Sequence, residues 1–157
     1  IKILIYFIIL MTINITEDFG YCLWFIPEKN QDWNKYSSGF TPHISIDTHL
    51  NRGNLNKYKK LIDKQWNIKI KLKGDIYQTE KNNFYALQSD VEIDENYIKP
   101  DWWPSNAHIS FRYKYNFPFS KDDISNLNNI LINKYCIFDT VIFMNCNGDY
   151  STWKKIE

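Results

Sequence analysis

The sequence predicts an α+β fold, two pseudo-symmetric lobes of antiparallel sheet with flanking helices and a central cleft, and three observations predict it. A pattern of His, apolar, Ser, apolar occurs twice, as His43-Ile44-Ser45-Ile46 and as His108-Ile109-Ser110-Phe111. Each copy is followed by apolar residues at helical spacing and then by further strand-like stretches, so the order motif strand, helix, strands is run through twice. Ile68, Ile70 and Leu72 alternate with Lys69, Lys71 and Lys73, the pattern of an antiparallel strand with one face in a core and the other in water. A pseudo-twofold between the halves would set the two His-x-Ser motifs facing each other across the cleft.

Along the chain, residues 1–15 are the most apolar run, led by Lys2, too short to span a bilayer as a helix and without a small-residue cleavage site after it. A signal or anchor segment, an accessory element, and sequence outside the domain all fit that run. The division expected is an N-terminal extension over 1–19 and a domain over 20–157. Tyr21 to Ile26, closed by Pro27, reads as a buried strand, and 28–38 as a polar loop. Gly39 and Pro42 frame the first motif strand, His43 to Thr48. From Asn54, residues Leu55, Tyr58, Leu61, Ile62 and Trp66 recur at helical steps, with lysines on the other face. Strands then follow at 68–72, 75–79 and 84–89, the last two joined by a turn at 80–83. The stretch 90–106, acidic and then rich in Trp and Pro, is expected to be a loop walling the cleft.

After the second motif strand, 108–113, Ser120 is a good N-cap with Asp122 and Asp123 in the first turn, and Ile124, Leu127, Ile130 and Leu131 keep helical spacing. Residues 138–146 form a long apolar strand, and Asn147-Gly148 is a two-residue hairpin signal returning the chain as 150–156.

Composition narrows the function. At 157 residues, with 44% hydrophobic and 24% charged, the chain suits one domain with a sizeable core. A net charge of only +1 argues against a broad footprint on duplex DNA and favours a small or end-on nucleotide. Aromatics at 17% supply a surplus that nucleobase stacking would use. Cys22, Cys136 and Cys146 are odd in number and lack CxxC spacing, which points to buried free thiols in a reducing compartment such as the cytoplasm. No cluster of His, Cys and Asp stands at metal-ligand spacing, so neither a metal nor another cofactor is expected, and a monomer is the simplest assembly.

In a strand, alternate side chains share a face, so His43 with Ser45, and His108 with Ser110, project together while Ile44 and Ile109 anchor the other side. An imidazole near neutrality can take or give a proton, so a pair can activate water and protonate a leaving oxygen. Hydroxyls beside them can donate to non-bridging phosphate oxygens. By the same parity Asp47 and Arg112 face the cleft, Arg112 as a phosphate contact, and His49 follows His43. Trp24, Phe40, Trp102, Trp103 and Tyr115 are candidates to stack a base.

These motifs resemble the signature of the two-histidine phosphoesterase superfamily. Leu23-Trp24-Phe25-Ile26-Pro27, Phe40-Thr41-Pro42-His43-Ile44-Ser45-Ile46, His108-Ile109-Ser110-Phe111-Arg112-Tyr113 and the terminal Asn145-Cys146 follow, in order, the pattern of its small 2',3'-cyclic nucleotide phosphodiesterases. Ala107 departs from it, standing where that family usually has proline. The resemblance implies His43 and His108 as the catalytic pair, without saying which is acid and which base, and Tyr113 as a substrate contact. It implies a metal-independent hydrolase acting on 2',3'-cyclic phosphates of nucleotides or RNA ends. Cleavage of 2'-5' oligoadenylates or cyclic dinucleotides, and a nucleotide-binding module without turnover, are the alternatives.

Overall fold

The computed structural model describes residues 18–37 and 39–157. The apolar run and all but the last two residues of the expected extension lie outside the described residues. Strand β1 (Tyr21–Pro27) leads through a 3-10 turn at Asp32–Lys35 to β2 (His43–Leu50). Helix α1 (Leu55–Asp63) is followed by β3 (Ile68–Leu72), β4 (Tyr77–Lys81), β5 (Phe84–Ile93) and β6 (His108–Tyr115). Helix α2 (Lys121–Leu131), β7 (Tyr135–Asn145), a 3-10 turn at Tyr150–Thr152 and the short β8 (Lys154–Lys155) complete the chain. The result is a mostly antiparallel sheet with two short helices, an α+β architecture.

All ladders are antiparallel, and the strands run β1-β2-β6-β5-β3-β7-β8, with β4 on β5. Because β1 pairs β7 as well as β2, the path from β1 to β7 closes on itself. Closure leaves open edges only at β4 and β8 among the described strands. β1 is also buried on both faces, between two apolar clusters, which is why that strand reads as a continuous apolar run. Leu23 and Phe25 enter the main core with Ile44, Ile70, Ile109, Phe138 and Phe143, on which Tyr58, Leu61 and Ile62 of α1 and Leu127 and Leu131 of α2 pack. Cys22 and Trp24 point the other way, into a smaller cluster with Ile142, Met144 and Cys146.

Several boundaries differ from those the sequence predicts. Helix α1 ends at Asp63, and Trp66 instead turns its indole N–H onto the Leu61 carbonyl at 3.0 Å. Strand β5 runs to Ile93, four residues into the expected loop, because Val91 and Ile93 find ladder partners Leu72 and Ile70 on β3. Asn147-Gly148 makes no tight hairpin. Asp149 caps a 3-10 turn by accepting from the Ser151 N–H at 2.8 Å, and only Lys154 and Lys155 rejoin β7. The tight turn lies instead at Asn82-Asn83, where φ is +52° and +61°, joining β4 to β5. Ser120 caps α2 as expected, accepting from the Asp123 N–H at 3.1 Å.

Each motif strand carries a β-bulge just past its serine. Trp24 faces Ser45 while Leu23 faces Asp47, so Ile46 is an extra residue on β2. Gln88 faces Ser110 while Leu87 faces Arg112, so Phe111 is an extra residue on β6. An unpaired residue reverses the alternation beyond it. The face reached by Asp47 and Arg112 is therefore the opposite of the one strict parity predicts.

Candidate active site

The two motifs meet in one ladder. His43 is the partner of Ser110 and Ile44 that of Ile109, so all four motif polar side chains emerge on one face. That face forms the wall of a cavity of about 390 Å³ lined by His43, Ser45, His108 and Ser110 together with Gln88, Tyr113 and Trp153. Ile44, Ile109 and Phe111 hold the strands from the opposite side, within the main core.

Both imidazoles are tethered alike. His43 Nδ1 lies 2.8 Å from the Thr41 carbonyl and His108 Nδ1 lies 3.1 Å from that of Asn106, in each case two residues earlier. A carbonyl only accepts, so Nδ1 carries the proton in both rings and Nε2 is the nitrogen left for chemistry. Their surroundings differ. His43 is 4% exposed, lies flat on Trp24 with ring centroids 3.5 Å apart and planes within 7°, and has Phe40 at its edge. Burial drives its pKa down to about 3; the Thr41 carbonyl works against that and His108 adds to it. His43 is therefore neutral across the physiological range. His108 is half-buried and also borders a larger cavity of about 580 Å³.

Ser110 is buried, its hydroxyl oxygen accepting from Gln88 Nε2 at 3.2 Å, which leaves the hydroxyl proton free to be donated to a ligand. Ser45 is half-buried on the same wall. Among the described residues no group of three or more His, Cys, Asp or Glu is placed to hold a metal ion.

Comparison of the chain with protein-family models, with curated proteins and with solved structures finds no match.

Of the residues singled out in the sequence, His43, His108, Ser45, Ser110 and Tyr113 are brought together around the cavity. Trp24 borders it but is 1% exposed and covered by His43, so no base can stack on it. Phe40 stands behind the wall, stacked on Tyr113 at 4.3 Å. Tyr115 stacks on Tyr150 at 5.5 Å, outside the cavity lining, and Trp103 lines the larger cavity rather than the smaller. Trp102 lies in the core, edge-on to Phe25.

Arg112 is turned away by the bulge, its Nε donating to the Tyr36 carbonyl at 3.3 Å, and Asp47 likewise accepts from the Tyr58 hydroxyl of α1 at 2.5 Å. The same reversal brings Thr48 onto the cavity. His49 also reaches it, through a second register shift of β2 against β1 at which its φ is +55°.

Sequence reasoning misses Gln88, Phe84, Phe19 and Trp153. Gln88 acts through a partner twenty-two positions away, and no local pattern marks that register. Phe19, assigned by sequence to the extension, packs edge-on to Trp153, and its carbonyl accepts from the His49 N–H at 2.8 Å. The periodicity of β1 begins only after it.

Proposed function

We propose that this chain is a phosphodiesterase in which His43 and His108 transfer the protons and Ser45 and Ser110 hold the phosphate, acting on 2',3'-cyclic phosphates of nucleotides or RNA ends. The observation that carries the reading is the ladder pairing His43 with Ser110, which sets both motifs side by side on one cavity wall with both imidazoles in the same tautomer. Neutral His43 takes a proton from water through Nε2 as the water oxygen attacks phosphorus. The bond to the leaving oxygen breaks, and His108, which for this step carries a second proton on Nε2 beside the one Nδ1 donates to Asn106, delivers it to that oxygen. The serine hydroxyls donate to the non-bridging oxygens as charge grows there. Neither proton transfer calls for a metal.

The two-lobed reading belongs with this proposal. If β1, β2 and β3 are exchanged with β5, β6 and β7, the β1–β2 ladder maps onto β5–β6 and β1–β7 onto β5–β3, while β2–β6 and β3–β7 map onto themselves. Helix α1 maps onto α2, and the bulge at Ile46 onto that at Phe111. On this reading a pseudo-twofold runs between the two histidines, and the correspondence supports it.

A second reading, cleavage of an acyclic diester such as a 2'-5' oligoadenylate or a cyclic dinucleotide, is favoured by one feature. His108 borders a second, larger cavity carrying Trp103, which offers room for a leaving nucleoside that a 2',3'-cyclic phosphate does not have. Hydrolysis of nucleoside 2',3'-cyclic phosphates, a 2'-5' oligoadenylate and a cyclic dinucleotide in EDTA tests both readings. Turnover of one class, lost in His43→Ala and in His108→Ala, is the expected result. Nucleotide binding without any product would replace the enzyme reading by a binding module.

A further inference from the structure

The correspondence between the halves is broken where it bears on the histidines. Trp24 is the ladder partner of Ser45, and Gln88 is that of Ser110. In one half a buried indole lies flat under His43; in the other an amide donates to the serine, and Asp90, the ladder partner of His108, is exposed at the second cavity. Identical motifs thus sit in a dry setting and a wet one.

We infer that Trp24 is a positioning residue that gives the histidine pair its direction, committing His43 to the role of base and leaving His108 to act as acid. The inference rests on the two-histidine reading of the site. Two contacts and the burial of the indole carry it. The stack at 3.5 Å and 7° fixes the imidazole plane, the Thr41 carbonyl at 2.8 Å fixes the tautomer, and the Trp24 indole, itself 1% exposed, excludes water from that face. Reversing the roles would require a proton on a ring that has lost its hydration.

An indole face also attracts a cation, which opposes this effect. That attraction changes a protonation equilibrium by roughly 2- to 30-fold. It is outweighed, because burial, the largest influence on His43, takes it to about 3 against an ordinary 6.5, a change of about 10³-fold in the same equilibrium. From the elements packed on His43, the groups that face it are Trp24 of β1, Ser110 and His108 of β6, and Phe40 and Thr41 of the preceding loop. Among the described residues His108 is the one titratable group acting on it, and it too disfavours a charged His43.

The test is the titration of His43 by NMR, in the full chain and in Trp24→Phe and Trp24→Leu, beside the pH profile of kcat/KM for whichever diester is turned over. In the unaltered protein His43 is expected to stay neutral down to pH 4. Trp24→Leu should move its titration upward by at least tenfold in proton concentration, and the acidic limb of kcat/KM with it. Trp24→Phe, which keeps a flat ring on the imidazole, should restore most of the difference. A change in KM alone, with the His43 titration unmoved, would make Trp24 an ordinary wall residue and overturn the inference. If Trp24→Leu does not fold, His43 titrating near 6.5 in the unaltered chain overturns it equally. If no diester is cut, the enzyme reading falls while the NMR titrations still decide whether Trp24 governs the protonation of His43.

Discussion

At the scale of single residues, the proposed chemistry depends on how two like side chains come to differ. His43 and His108 share a motif, a tautomer and a wall, and burial separates them. Replacing either by Ala should lower kcat by about 10²- to 10⁴-fold while the far-UV spectrum is retained, which rapid-quench or steady-state assays can read. The depressed His43 also leaves a mark on stability. Its folded pKa, about 3, lies below the ordinary 6.5, so the unfolded chain binds the extra proton between those values. Stability is undiminished by this group above pH 6.5 and is lost as pH falls toward 3, at up to about 1.4 kcal/mol per pH unit. Urea midpoints between pH 7 and pH 4 should therefore fall less steeply in His43→Gln than in the parent. The motif residues are legible in the sequence because recurrence in a chain with three histidines is a strong local signal. Their unequal burial is not, since the indole that dries His43 comes from another strand.

At the scale of elements, the two bulges decide which side chains reach the cavity. Alternation is a property of an unbroken strand, and one extra residue on β2 and one on β6 cancel it just beyond each serine. Arg112→Ala is expected to leave kcat/KM within about twofold, whereas Ser110→Ala, which on the proposed mechanism removes a donor to the developing charge, should cost about 10-fold or more. A comparable loss in the two variants would return Arg112 to the site. The helices are more nearly what their sequences prescribe. Ser120 and the spacing of Leu127 and Leu131 fix α2, and Ser120→Ala should lower the unfolding free energy by about 1 kcal/mol in a urea titration with kcat unchanged. The C-terminal turn shows the limit of local signals. Asn147-Gly148 is permissive for a hairpin, but Asp149 and Trp153 commit the segment to a 3-10 turn and to the cavity.

At the scale of the whole molecule, closure of the sheet through β1 and β7 holds the motif ladder rigid from behind. Phe138 pairs with Ile68 on β3 and with Pro27 on β1 and is wholly buried, so Phe138→Ala should cost about 3–5 kcal/mol, measured by denaturant unfolding. Among the described residues no helix is long and apolar enough to cross a membrane. What the sequence by itself determined is what periodicity and caps encode over a few residues: the strand character of β1, β2, β3 and β6, the two helices, and the pairing of each histidine with its serine. Only the tertiary structure decided that Trp24 lies beneath a histidine rather than a nucleobase, that Gln88 supports Ser110, and that Arg112 and Asp47 turn away. Those outcomes depend on cross-strand register and on water excluded by residues remote in sequence, and neither quantity is a property of any short stretch of chain.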